Sequence, residues 1–215
     1  MGNTLLFPDW KTILKPLVQI RQAPQVDDLQ ALERKTKREF DRVQSEKKET
    51  NLGFWRIFHG FLLADLEISD EALLHKLTLA MADSSHWNQS RPGTRETLDS
   101  IAKSYRLGVI SNADGKIQHV LARCGIADCF QTVTDSGIVG YEKPHAAIFQ
   151  AACRDIAVQP EHCLYVGDVY SVDYLGATRT GMRAVLFDVA GTYRENGLPR
   201  VESLQELQTW LEKDQ

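Results

Sequence analysis

The spacing of apolar residues changes character near residue 90. Before it, Trp10, Ile13, Leu14, Leu17 and Val18 recur at helical intervals, as do Leu73, Leu74, Leu77 and Met81 after the cap candidates Ser69 and Asp70. Between them, Glu33 to Glu49 is densely charged and reads as a helix with a solvated face. No period-two alternation interrupts this zone. Residues 10–87 are therefore expected to form an all-helical unit.

From Arg91 onward, short apolar runs alternate with amphipathic segments. Leu107–Ser111, Phe130–Val133, Cys163–Val166 and Met182–Phe187 read as strands. The stretches between them carry helical spacing. Leu98, Ile101 and Ala102 share one face, and Ile117, Val120, Leu121 and Cys124 fall at i, i+3, i+4 and i+7, closed by Gly125 at a C-terminal cap position. Pro144 suits the first turn of a helix bearing Ile148, Phe149 and Ala152, and Ser203 with Glu206 makes a capping box for a last helix with Leu204, Leu207 and Leu211. Repeated strand–helix units specify an α/β fold around a parallel sheet. The core is expected in residues 1–9 and 88–215, with the helical unit inserted between them.

Composition narrows the class of function. A chain of 215 residues can bury a sizeable core, and a net charge of −4 provides no basic footprint for nucleic acid or an anionic membrane. Even the apolar stretch Phe54–Ala64 carries Arg56 and His59, so no bilayer span is expected. No basic-then-apolar leader is visible, and a cytoplasmic location follows as an expectation. Cys124, Cys129, Cys153 and Cys163 lack the paired spacing of a zinc site and read as buried thiols.

In open α/β sheets, ligands bind beyond the carboxyl ends of strands. The run Leu164-Tyr165-Val166-Gly167-Asp168 ends a strand in Gly-Asp, and Asp173 follows five residues later. Two carboxylates at one strand tip suit Mg²⁺. Ser111-Asn112 follows another strand, and Lys143 precedes Pro144; both can hold a phosphate. Each residue also has an ordinary role open to it. Ser111, Asn112, Asp114 or Asp173 can cap a helix, and Lys143 can be a surface lysine.

Taken in chain order, these motifs resemble the haloacid dehalogenase-like hydrolase superfamily. Ile110-Ser111-Asn112 is similar to its second motif, Ser136 to Lys143-Pro144 to its third, and Gly167-Asp168 through Asp173 to its fourth. Asp173-Tyr174-Leu175-Gly176-Ala177 and the early helical insert resemble its first subfamily, in which the insert is a helical cap. The resemblance implies a Rossmann-like core and hydrolysis of a small phosphorylated metabolite through an aspartyl-phosphate. It implies that Ser111, Asn112, Lys143 and Thr4 bind the phosphate, while Asp168 and Asp173, with the Gly2 carbonyl, hold Mg²⁺. A divalent cation and a lysine offset the repulsion between an attacking carboxylate and an anionic phosphate.

The chain departs from the family at its first motif, Asp, any residue, Asp, Gly, Thr. Met1-Gly2-Asn3-Thr4, aligned on Thr4, puts the nucleophile one position before Met1 and leaves Gly2 where the family carries its general acid. The same alignment puts the central strand of the sheet before Met1, which would leave two rows of buried backbone groups unpaired, so the chain as given is expected to fold poorly unless something fills that slot. Two other readings stay open: a catalytically inactive binding or scaffold protein, and a haloacid dehalogenase, which has no evident use for clustered carboxylates. Trp55, Arg56 and His59 are candidates for the cavity wall, although Trp55 and Phe58 read more simply as bundle core and His59 as a surface residue.

Overall fold

Strands and helices alternate in the second half of the chain as the periodicity requires. The computed structural model describes residues 1–20, 24–46 and 53–213. The first half holds β1 (Phe7–Pro8), α1 (Trp10–Ile13), α2 (Lys15–Val18), α3 (Val26–Ser45), α4 (Phe54–Asp65) and α5 (Glu71–Ala82). The second holds β2 (Trp87–Gln89), α6 (Thr94–Ile101), β3 (Gly108–Ser111), α7 (Ile117–Arg123), β4 (Thr132–Asp135), α8 (Ser136–Val139) and α9 (Ala146–Ile156). It ends with β5 (Leu164–Gly167), α10 (Leu175–Arg179), β6 (Arg183–Phe187), β7 (Arg200–Val201) and α11 (Leu204–Lys213).

The helical layer is built on apolar stripes. Leu29, Leu32, Thr36, Phe40 and Val43 are buried along α3, and Leu73, Leu77 and Met81 along α5. The Asp70 carboxylate accepts the Leu73 N–H at 2.9 Å and starts α5 where the cap signal lay. The first apolar stretch forms two four-residue helices instead of one, because Pro16 has no N–H with which to continue the ladder. Val18, expected on the buried face, is exposed as a result. His59 is the opposite case: it is fully buried, and burial lowers its pKa to about 4.

The expected parallel sheet is split in two. β3 pairs with β4, and β5–β6–β7 form a separate parallel unit, while β1 and β2 make a short antiparallel ribbon. No described strand joins β3 to β5. An apolar cavity of about 370 Å³ lies between them, lined by Val109 and Ile110 on one bank and Leu164, Tyr165 and Val166 on the other.

Boundaries shift in three places. β4 runs to Asp135 because a 3₁₀ turn over Ala127–Cys129 delays its start. α9 begins at Ala146, where His145 Nδ1 accepts the Ala147 N–H, so Pro144 lies before the helix and not in its first turn. At α11, Ser203 Oγ accepts the Glu206 N–H, but the Glu206 carboxylate reaches back to the Glu202 N–H instead of closing the box on Ser203. Of the four thiols, Cys129 and Cys153 are buried, whereas Cys124 and Cys163 are only half-buried; all four are free. Among the described residues no helix is long and apolar enough to cross a membrane.

Candidate active site

A cavity of about 720 Å³ opens at the carboxyl ends of β3 and β5. Ser111, the last residue of β3, is buried in its wall. Asn112 follows and grips the backbone of Lys143 from both sides: its Oδ1 accepts the Lys143 N–H at 2.7 Å and its Nδ2 donates to the Lys143 carbonyl at 3.0 Å. The lysine side chain then crosses to the other half-sheet. Its Nζ lies 2.7 Å from Asp173 Oδ1 and donates to the Tyr165 hydroxyl at 2.9 Å, while the Tyr165 O–H donates to the same carboxylate oxygen at 3.1 Å.

Asp173 is fully engaged. Its second oxygen accepts the N–H groups of Asp168 at 3.1 Å and Val169 at 3.0 Å. Gly167 permits this closure, since a Cβ there would lie 2.5 Å from Asp173 Cβ. Burial pushes the Asp173 carboxyl up, but the adjacent Lys143 ammonium outweighs it and holds the group below the usual carboxylate range. Burial likewise disfavours the charged Lys143, yet Asp173 reverses the balance and keeps the lysine protonated.

Asp168 has a different partner. Its Oδ2 lies 3.1 Å from Lys37 Nζ and 3.4 Å from Asn3 Nδ2, and Lys37 also meets Glu33 at 2.8 Å. Burial raises the Asp168 carboxyl above its ordinary value despite Lys37. Lys37 corrects the reading of Glu33 to Glu49 as a solvated face: it is fully buried, and only residues 47–49 of that stretch lie outside the described residues. One turn further along α3, the Asp41 carboxylate accepts the Ser171 N–H at 3.0 Å and the Tyr193 O–H at 2.8 Å. Arg34, one turn earlier, donates to the Ala190 carbonyl. Positions 34, 37 and 41 share a helix face: Lys37 and Asp41 fasten the helical layer to the loop carrying Asp168 and Asp173, and Arg34 fastens it to the loop after β6.

A buried carboxylate frames the loop after β3. Asp135 accepts the N–H groups of Gly115 at 3.0 Å, Ile117 at 3.1 Å and Gly137 at 2.9 Å, which satisfies the orphan donors of two helix starts.

Ser111, Asn112, Lys143, Asp168, Asp173 and Gly2 all line the one cavity. Thr4 does not. Its hydroxyl donates to the Met1 carbonyl at 2.7 Å, and the residue faces the apolar slot between the half-sheets, because residues 1–6 fold into a turn. Gly2 packs against Trp87, where a Cβ would come within 2.7 Å of the indole ring. Trp55 lies in the cavity wall, whereas Phe58 is core. Among the described residues no group of three or more His, Cys, Asp or Glu side chains is arranged for a metal.

Lys37, Tyr165, Asp41 and Trp87 were not evident as site residues from the sequence. Lys37 had one available signal: it falls between the buried positions Thr36 and Phe40 on α3.

A model of the haloacid dehalogenase-like hydrolase family matches residues 15–181. A glyceraldehyde 3-phosphate phosphatase of Methanothermobacter thermautotrophicus is 45% identical over 97 residues, covering 44% of this chain and 43% of that protein. Haloacid dehalogenase-like hydrolase domain-containing protein 3 of Xenopus laevis is 33% identical over 133 residues, 60% of this chain and 54% of that protein. The match thus spans about half the length of these curated relatives. Among solved structures, the magnesium-bound HAD hydrolase YfnB of Bacillus subtilis superposes with a TM-score of 0.67 at 19% identity, covering 95% of this chain and 93% of that one. With strands, cavity and motif order in agreement, the chain belongs to the haloacid dehalogenase-like hydrolase family.

Proposed function

We propose that this hydrolase is a phosphatase of small phosphorylated metabolites, acting through an aspartyl-phosphate. The observation that carries the reading is Lys143, a charged ammonium held between Asn112 and Asp173 on the wall of a cavity that also receives Ser111. Lys143 and the Ser111 hydroxyl bind the phosphoryl oxygens, and a preformed cation there favours the charge of the transition state. Asp173 positions Lys143 and is not itself a free ligand. The relatives named glyceraldehyde 3-phosphate phosphatase support a phosphate monoester as substrate.

The donor set fits Mg²⁺ at one carboxylate. Asp168 lines the cavity and no described hydrogen bond engages its Oδ1, and Mg²⁺ is commonly held by one or two carboxylates with substrate phosphate and water. Asp168 and the Gly2 carbonyl would hold it. Bound there, the metal supplies charge neutralisation at the phosphate. The nucleophile is assigned by resemblance to the position before Met1. Residues 10–87 serve as the cap, a reading supported by Phe40, Gln44, Phe54 and Trp55 in the cavity wall.

The test is phosphate release from a panel of monoesters, glyceraldehyde 3-phosphate included, by the chain extended with a strand ending in Asp. Mg²⁺-dependent turnover is expected, lost in Asp168→Asn, with a raised KM and lowered kcat in Lys143→Ala. Absence of both turnover and inorganic phosphate binding overturns the proposal.

A further inference from the structure

The lining of the cavity combines two kinds of surface. Ser111, Lys143 and Asp168 are polar, and Phe40, Phe54, Trp55 and Trp87 make up an aromatic part. The rings of this part contact one another edge to face: centroids lie 5.6 Å apart for Phe40–Phe54, 4.9 Å for Phe54–Trp55 and 5.3 Å for Trp55–Trp87. Such a surface binds a flat, weakly hydrated group far better than a polyol. Among the described lining residues Lys143 is the one cationic side chain, so the lining offers no second ammonium or guanidinium for a further anionic group.

The supply of protons at this site points the same way. A departing alkoxide needs a donor, and the acidic side chains of the cavity are committed elsewhere. Asp173 is engaged at both oxygens, Asp168 is paired with Lys37, and Asp114 is paired with Lys116 at 2.9 Å. Glu142 is exposed. The Trp87 indole N–H donates to the Met81 carbonyl at 3.1 Å, and its ring leaves no room for a side chain at Gly2. A leaving group that departs as a stable anion avoids this need. Phenols ionise near ~10, whereas an aliphatic hydroxyl lies close to water at ~15.7.

We infer that the substrate is an aryl phosphate, a singly phosphorylated aromatic alcohol whose ring lies against Phe54 and Trp55. The inference rests on the phosphatase reading above and adds the class of leaving group. In the transfer step an oxygen of the nucleophilic carboxylate bonds to phosphorus while the phosphorus–oxygen bond to the ring breaks. The electron pair leaves with the phenolate, which then takes its proton from water, and a second water hydrolyses the acyl phosphate.

Equilibrium binding to the 215-residue chain in Mg²⁺ tests it without any turnover. Phenyl phosphate, glycerol 3-phosphate and inorganic phosphate are titrated by calorimetry. Phenyl phosphate is expected to bind about tenfold more tightly than the other two, the worth of one or two aromatic contacts. Trp55→Ala should bring all three affinities together while leaving that of inorganic phosphate unchanged; Phe54→Leu, which keeps an apolar side chain, is the second variant. Equal affinity of the two esters, with inorganic phosphate bound, overturns the aryl assignment and leaves the phosphatase reading standing. No binding of inorganic phosphate overturns both.

Discussion

Asp173→Asn removes the charge that holds Lys143 in place. The pair is almost wholly enclosed, with side-chain exposures of 7% for Lys143 and 5% for Asp173, so water cannot substitute for the lost partner. The lysine is left with the Tyr165 hydroxyl alone, and breaking a buried pair from one side costs about 3 to 5 kcal/mol. Against a total of about 5 to 15 kcal/mol, that is a large share. With a urea slope near ~3 kcal/mol per M, the unfolding midpoint should fall by roughly 1 M or more at pH 7. Lys143→Met combined with Asp173→Asn removes both charges, so the double variant should be less destabilised than the sum of the singles, by up to about 3 kcal/mol. The sign with pH follows from the same contact. Asp173 is held below its unfolded value, so its contribution is fully present above that value of about 3.9 and is lost as pH falls through the folded pKa. Asp168, raised by burial, acts in the opposite sense and above that window, costing stability as pH rises from the unfolded value through its raised folded one. A midpoint shift below about 0.3 M, equivalent to ~1 kcal/mol, would refute the reasoning.

Two further outcomes follow from contacts of α3 and of the first residues. Lys37→Met keeps volume but strips Asp168 of its ammonium, costing about 3 to 5 kcal/mol in thermal unfolding without metal; the loss should shrink in saturating Mg²⁺, and an identical loss in both conditions counts against Asp168 as the metal ligand. Gly2→Ala drives a Cβ to 2.7 Å from the Trp87 ring and should lower stability by about 1 to 3 kcal/mol, a loss relieved by Trp87→Leu. An unchanged urea midpoint for Gly2→Ala would sink the claim that the indole blocks that position.

Strand ends were legible because their chemistry is local. Ser111 ends one short apolar run and Asp168 directly follows another, with Asp173 one helical turn further on, and a parallel sheet delivers such strand ends to one side. Lys37 was hidden by the opposite logic. Its neighbours on α3 are charged, and only the approach of a loop 131 residues away turns one lysine inward. Thr4 was misplaced because a motif alignment assumes an extended backbone, whereas Asn3 adopts a positive φ of 54° and folds the segment into a turn. The Trp87 ring against Gly2 joins two ends of a helical insertion, a juxtaposition no sequence period encodes.

The clasp of Asn112 on Lys143 also bears on how the molecule comes apart. Asn112 follows β3, and the lysine it holds is tied through Asp173 to the loop after β5, so a continuous polar link crosses between half-sheets that share no strand pairing. Cooperativity across the split therefore runs partly through a residue whose proposed business is phosphate. Weakening it should loosen the coupling between the two halves as well as the grip on the ligand, so unfolding of such variants is where separate transitions for the two half-sheets would first become visible.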